Sequence, residues 1–373
     1  MSSHAPLLSL LAVVCFASQA PGAPQASVSA KLDAHLQSYV DKEGFRGAVL
    51  VAKDGKVLHR AAYGLADEKG RRANQVDSQF LIGSLTKSFT AVTVMQLVDA
   101  GTLDLNVPIS RYLPKLRADL GKSLTLHLLL KHQSGLPTHL DSLVERESET
   151  DVSSAEILRL INTARVSFKP GAKHEYSNLN YHLAALIIEA VTGKRYAEVL
   201  QEKTFGPLAM TDSGIERSTN VPPKRAFGYA KELLGVSRDE NNVSYALGSG
   251  DIYSTVDDLY AWDQALFGSG LVSAPSKKRL FTGESRALGY YGYGFRIQQY
   301  QRSPGSKERG VLVRHGGSMD GFLSNLHHYT EDQLTVIVLG NVRPFPIREL
   351  TFELKEIALG LEPRSRSRAE LDE

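Results

Sequence analysis

Apolar and polar residues change their spacing several times along this chain, and each change predicts an element. From Ala30 to Val40 the apolar positions Leu32, Leu36, Tyr39 and Val40 fall near helical spacing and predict an opening helix. Gly47 to Ala52 and Val57 to Ala62 are rich in Val and Ala and flank Asp54-Gly55, a dipeptide that tolerates the left-handed backbone of a tight hairpin. Ser88 to Ala100 returns to a helix, with Val92, Val94, Met95, Leu97 and Val98 apolar and Gly101 as its stop. Helix patterns and loops fill Asp104 to Ala246, among them Leu124 to Lys131, Ala155 to Thr163 and Tyr181 to Thr192, and strand signals there are sparse. Strand patterns resume in Tyr293 to Gln301, Gly310 to Arg314, Phe322 to Tyr329 and Leu334 to Leu339, before a closing helix over Ile347 to Leu359. Strands at both ends with helices between predict an α and β fold, in which one sheet is built from the two chain ends (about 30–85 and 246–360) and a mainly helical part (about 104–245) is inserted. The cleft between two such parts is a natural active site.

Composition narrows the class. With 42% hydrophobic and 23% charged residues over 373 positions, the chain is globular with a substantial core. Basic and acidic residues nearly cancel, 43 against 41, and no Lys/Arg cluster forms a phosphate-tracking face, so nucleic acid is not an expected partner. Arg364, Arg366 and Arg368 are interleaved with Ser and read as a solvated tail. The single cysteine, Cys15, excludes a disulfide framework and a cysteine metal site, and it lies in an apolar run from Leu7 to Ala17. That run has the length of an export-signal core and falls short of the roughly 20 residues of a membrane span. Small residues follow at Ala17, Ser18, Ala20, Ala23 and Ala26, so residues 1–26 are expected to be a cleaved signal peptide. The mature chain, 27–373, is then exported, periplasmic or secreted, with no stable membrane span. An N-terminal membrane anchor or a lipid on Cys15 is the alternative, since Met1 to Pro6 carries His4 but no Lys or Arg.

Three short segments carry candidate chemistry. Ser84-Leu85-Thr86-Lys87 sets a hydroxyl and an amine about one helical turn apart, just before or in the first turn of a core helix. A lysine, with a usual pKa near about 10.4, accepts a proton near neutrality only when burial or a neighbouring cation lowers that value, and the helix N-terminus supplies part of such a field. Phe80, Leu81, Ile82 and Gly83 before the serine, and the apolar helix after the lysine, make the setting expected of a buried nucleophile. An N-capping serine beside a surface lysine has the same spelling, so the motif alone is weak. Tyr176-Ser177-Asn178 offers a phenol able to relay a proton and an amide able to donate to a substrate carbonyl, both aimed the same way along an extended segment. His315-Gly316-Gly317-Ser318 follows the strand pattern that ends at Arg314. Its glycines let a backbone or ligand approach closely, and the amides of Ser318 and Ser84 could form an oxyanion hole; a Gly-rich turn is the competing account. His127, His132, His139, His327 and His328 make no zinc-like set with acidic or cysteine partners and read as loop or core residues. Trp262 reads as a packed aromatic on a helix or as a cleft wall.

In their order along the chain, these segments resemble the three motifs of the penicillin-recognising serine enzymes. From roughly Gly47 to Leu359 the sequence looks like class C beta-lactamases, the related family VIII carboxylesterases and the serine D-alanyl-D-alanine carboxypeptidases, and Phe80 to Lys87, Leu128 to Leu136, Pro207 to Met210 and Gly248 to Thr255 extend the likeness. The resemblance implies a beta-lactamase/transpeptidase-like fold, an antiparallel sheet flanked by N- and C-terminal helices with the helical part inserted. It implies Ser84 as acylated nucleophile, Lys87 as its base or electrostatic activator, and Tyr176 as the group that protonates the leaving group and helps activate the deacylating water. Asn178, His315, Gly317 and Ser318 become substrate-binding candidates, and no metal or cofactor is implied. Where beta-lactamases carry Lys-Thr-Gly, this chain has His315-Gly316-Gly317. Histidine, with a usual pKa near about 6.5, predicts a weaker, pH-sensitive grip on a substrate carboxylate, and replacing it with Lys is expected to raise affinity for carboxylated beta-lactams. The expected function is hydrolysis of a small-molecule ester, amide or short D-amino-acid peptide through an acyl-enzyme, as carboxylesterase, D-amino-acid peptidase or weak beta-lactamase. A penicillin-binding sensor or non-catalytic binding relative is the alternative.

Overall fold

The computed structural model describes residues 27–140 and 151–371, apart from 220, 240, 241, 284, 286, 287, 304, 368 and 369. The expected signal segment, with Cys15, lies outside the described residues. Helix α1 (Val28–Glu43) begins where the Ser27 hydroxyl accepts the Ala30 amide and ends at Gly44, whose φ of 67° forms the left-handed C-cap. Strands β1 (Gly47–Lys53) and β2 (Lys56–Tyr63) form the expected hairpin, with Asp54 and Gly55 at φ 50° and 72° in its turn. Helix α2 (Thr86–Asp99) starts earlier than its apolar pattern because a 3₁₀ turn, Gly83–Leu85, leads into it. Helices α3 (Asn178–Thr192) and α4 (Val256–Phe267) follow. Between them lie strands too short for periodicity to reveal, Gly214–Ile215 and the hairpin Gly228–Lys231 with Val236–Asp239. The chain then forms β3 (Arg296–Gln301), β4 (Arg309–Met319), β5 (Phe322–Tyr329), β6 (Leu334–Gly340) and helix α5 (Ile347–Ala358).

Strands β1 to β6 make one antiparallel sheet in the order β3-β4-β5-β6-β1-β2, and the two ends of the fold meet where β1 pairs with β6 from Gly47↔Gly340 to Lys53↔Leu334. Successive side chains point to opposite faces, so these two buried strands feed two cores. Val49 and Val51 join Leu32, Leu36, Leu350 and Leu354 beneath α1 and α5, whereas Ala48, Leu50 and Ala52 belong to the core that holds α2 and α3. Helix α2 is buried all round from Thr86 to Met95, as a helix enclosed by other elements must be. Phe89 on it stacks against Trp262 at 4.1 Å, which puts Trp262 in the core rather than in a cleft wall.

Two departures from the sequence pattern shape the site. Strand β4 does not stop at Arg314: pairing with β5 continues to Met319↔Phe322, so the His315-Gly316-Gly317-Ser318 segment lies inside a strand. β3 covers β4 only from Arg309 to Arg314, which leaves the outer edge of 315–319 without a strand among the described residues. β3 itself begins at Arg296 and not Tyr293, because the chain turns at Gly294, where φ is 76° and a Cβ would lie 2.7 Å from the Lys87 carbonyl oxygen. No helix among the described residues is long and apolar enough to cross a membrane.

Candidate active site

Ser84 sits in the 3₁₀ turn and Lys87 one turn further on, in the buried start of α2. Lys87 Nζ lies 3.0 Å from Ser84 Oγ and donates to the Ser249 carbonyl at 2.8 Å. A tight turn delivers that carbonyl: the amides of Ser249 and Gly250 both donate to Ala246 O, and Gly248, at φ 67°, approaches α3 so closely that a Cβ would meet Ala185 Cβ at 2.5 Å. Lys87 Nζ also stands 5.0 Å from the ring centroid of Tyr176 and 5.7 Å from that of Tyr181. Its burial among such groups holds the amine well below the usual lysine range.

Tyr176 approaches the same serine: the Lys87 amine, 3.0 Å from Ser84 Oγ, stands 5.0 Å from the Tyr176 ring centroid, and the Ser84 hydroxyl is near enough to act on the phenol's pKa. Burial pushes the phenol up to about 12, against the smaller lowering effects of the Ser84 hydroxyl and of the Arg296 charge. Ser177 is extended, at φ −141° and ψ 124°, so Tyr176 and Asn178 leave the chain in the same direction, and Asn178 then opens α3. A cavity of about 210 Å³ opens at Ser84, and Asn178, His182, Tyr245, Ser318 and Met319 are among its walls. His182 donates through Nδ1 to Leu247 O at 2.7 Å, and burial lowers its pKa to about 4, so it meets the cavity as a neutral ring near pH 7.

β4 lies directly against the turn before Ser84. Gly83 has φ 50°, and a Cβ on it would stand 2.9 Å from Ser318 N; one on Gly317 would stand 1.9 Å from Ile82 O. The Ile82 carbonyl also accepts the Ser324 hydroxyl at 2.7 Å, which ties the turn to β5. Two side-chain-free positions therefore bring Ser84 and Ser318 into one cavity wall. Gly317 acts here as a spacer between backbones.

His315 departs from expectation. Its ring is 3% exposed, its Nδ1 donates to Gly316 O at 2.6 Å, and its Nε2 accepts the Tyr291 hydroxyl at 2.8 Å. A carbonyl can only accept, which fixes the proton on Nδ1. Burial, then the Lys87 and Arg296 charges, hold the imidazole well below its usual pKa. The predicted pH-sensitive carboxylate grip is thereby corrected: both ring nitrogens are engaged inside the fold. Thus Ser84, Lys87, Tyr176, Asn178 and Ser318 converge, Gly317 spaces two backbones, and His315 is bound to Tyr291. Ser249, His182 and Tyr181 were missed as site residues. Only Ser249 left a signal, since it falls in the Gly248 to Thr255 stretch; the other two lie in the apolar pattern of α3, where core packing has the same spelling. Among the described residues, no three His, Cys, Asp or Glu side chains are grouped to hold a metal ion.

The sequence profile of the beta-lactamase family matches residues 32–359. This chain belongs to the beta-lactamase family. The family member is 29% identical over 305 residues to the "Putative penicillin-binding protein PbpX" of Bacillus subtilis (strain 168), covering 82% of this chain and 72% of that one. It is 28% identical over 323 residues to a D-aminopeptidase of Gluconobacter oxydans (strain 621H), covering 84% of this chain and 59% of that longer relative. Among solved structures, the octameric penicillin-binding protein homologue from Pyrococcus abyssi superposes with a TM-score of 0.77 at 26% identity, over 89% of this chain and 78% of that one. The D-amino acid amidase from Ochrobactrum anthropi SV3 superposes with a TM-score of 0.76 at 25% identity, over 88% and 99%.

Proposed function

We propose that this beta-lactamase-family chain is a serine hydrolase that cleaves esters or amides through an acyl-enzyme on Ser84. One observation carries the reading: the Lys87 amine stands 3.0 Å from the Ser84 hydroxyl and 5.0 Å from the Tyr176 ring centroid, and Ser84 opens onto the cavity. A lysine whose charged form is disfavoured by burial can take the Ser84 proton as the hydroxyl attacks a carbonyl carbon, while Ser249 O holds the amine in place. The amides of Ser84 and Ser318 are the donors for the oxyanion that then forms, and Asn178 offers its side chain to the substrate. Tyr176 keeps its proton at neutral pH, which suits it to protonate the leaving alcohol or amine rather than to serve as a standing tyrosinate base. Water then attacks the acyl-enzyme, and its proton passes back through the same groups.

A D-aminopeptidase and a D-amino acid amidase among the relatives, together with a histidine whose two ring nitrogens are already hydrogen-bonded, favour carboxylesterase or D-amino-acid peptidase activity over efficient beta-lactam hydrolysis. Export to the periplasm or medium belongs to the same proposal and rests on the apolar run Leu7 to Ala17. The decisive assay compares wild type and Ser84→Ala on a p-nitrophenyl ester, a D-amino-acid p-nitroanilide and a chromogenic cephalosporin. Turnover of the ester or anilide should fall by at least about 10³-fold in the variant. A single burst of acylation by the cephalosporin without turnover of any substrate would instead mark a sensor, and full activity in Ser84→Ala would refute the reading.

A further inference from the structure

We propose that His132 is a positioning residue, one that fixes the Tyr176 phenol against Ser84; the inference rests on the acyl-enzyme reading above. His132 lies just after the short helix Leu126–Leu130, fully buried and at φ 56°, a left-handed conformation uncommon for a residue with a side chain. It holds the Tyr176 segment from both sides of that residue. Its carbonyl accepts the Glu175 amide at 2.9 Å, and its Nδ1 accepts the Ser177 amide at 3.1 Å. The ring itself packs on the Tyr176 ring, with centroids 4.3 Å apart and planes tilted by 32°. Asn180, in the first turn of α3, meets the same Nδ1 through its side-chain nitrogen at 3.2 Å and so braces the imidazole.

These bonds determine the ring's protonation. A backbone N–H can only donate, so Nδ1 must carry a lone pair and the proton must sit on Nε2. Nε2 is buried without a hydrogen-bond partner among the described residues, so the ring gives up a hydrogen bond there while Nδ1 engages the Tyr176 segment. Burial, then the Lys87 charge, disfavours the imidazolium, consistent with a ring held as an acceptor. The Tyr176 phenol must lie within hydrogen-bonding reach of Ser84 to move a proton, and a displacement of about 1 Å at such a group costs on the order of 10²-fold in rate. The backbone clamp on Glu175 and Ser177 and the ring against Tyr176 remove that freedom.

The test compares His132→Gly with His132→Asn. Both tolerate a left-handed backbone, but only asparagine returns an acceptor oxygen near the place of Nδ1. His132→Gly should lower kcat on the ester substrate by roughly 10²-fold with KM changed less than about threefold, and His132→Asn should recover most of that loss. An unchanged kcat in a folded His132→Gly, or a loss that asparagine does not recover and that follows the fall in Tm across both variants, would overturn the proposal. Should the glycine variant not fold, Asn180→Ala carries the test: a kcat lowered several-fold at constant KM supports the clamp, and an unchanged kcat overturns it. Ser84→Ala and Tyr176→Phe in the same assay separate the two levels of inference. If both abolish turnover while the His132 and Asn180 variants are neutral, only the positioning role fails; if Ser84→Ala stays active, the acyl-enzyme reading fails first.

Discussion

Adding one methyl group at Gly317 should disable the catalytic wall while leaving every polar side chain of the site in place. A Cβ there would stand 1.9 Å from Ile82 O, where real contacts do not fall below 3.0 Å, so β4 and the turn before Ser84 must part by about 1.1 Å. The turn has little freedom to retreat, because Ile82 O is also held by the Ser324 hydroxyl at 2.7 Å. Overpacking of this size costs about 1–3 kcal/mol of stability. The same shift separates the amides of Ser84 and Ser318, and a mispositioned oxyanion donor costs about 10²–10³-fold in kcat. The assay is kcat and KM for Gly317→Ala on a p-nitrophenyl ester, beside its Tm. A loss of at least about 10²-fold in kcat in a variant that is still folded at the assay temperature fits this geometry. A folded Gly317→Ala enzyme with wild-type kcat would show that the close approach of the two backbones has no part in catalysis.

Three further outcomes follow from the buried groups. Tyr176→Phe should lose about 10²–10⁴-fold in kcat with little change in KM, since the phenol donates a proton in the transition state; an unchanged kcat removes it from the mechanism. Lys87→Met should lose activity to a similar degree, and its stability should differ from wild type in a pH-dependent way. Folded Lys87 has a lowered pKa, so between that value and 10.5 the unfolded chain binds the extra proton; wild-type stability relative to the variant therefore rises with pH through this window, and chemical denaturation showing a flat difference would contradict it. His315→Lys should not gain affinity for carboxylated beta-lactams, as the sequence pattern alone suggested. It places an ammonium in a site only 3% exposed and near Lys87, and should lower stability by about 2–3 kcal/mol; tighter cephalosporin binding at unchanged Tm would show that the side chain does face the substrate.

Much of this architecture was legible in the residues because periodicity reports burial. Phe322–Tyr329 matched its predicted bounds, and β1, β6 and α5 differed by a residue at one end, since each has a strong apolar pattern ended by a turn or a glycine. Ser84, Lys87 and Tyr176 were legible through the order of three weak motifs. What stayed hidden depends on contacts between segments distant in the chain. The glycines of 316 and 317 read equally as a site of close backbone approach or as a turn; pairing with β5 keeps them in a strand, and the Ile82 carbonyl requires Gly317 to lack a side chain. His315 read as a pH-sensitive ligand for a substrate carboxylate because its partner, the Tyr291 hydroxyl, lies 24 positions away. His132 read as an ordinary core histidine, since neither the Ser177 amide nor the Tyr176 ring is near it in sequence.

Intact-mass analysis after exposure to a fluorophosphonate probe tests the central claim most directly. The account predicts one phosphonyl adduct on the wild-type protein, mapped by peptide sequencing to Ser84, and none on Ser84→Ala. An equal adduct on both proteins, or a wild-type adduct on another residue, would contradict it.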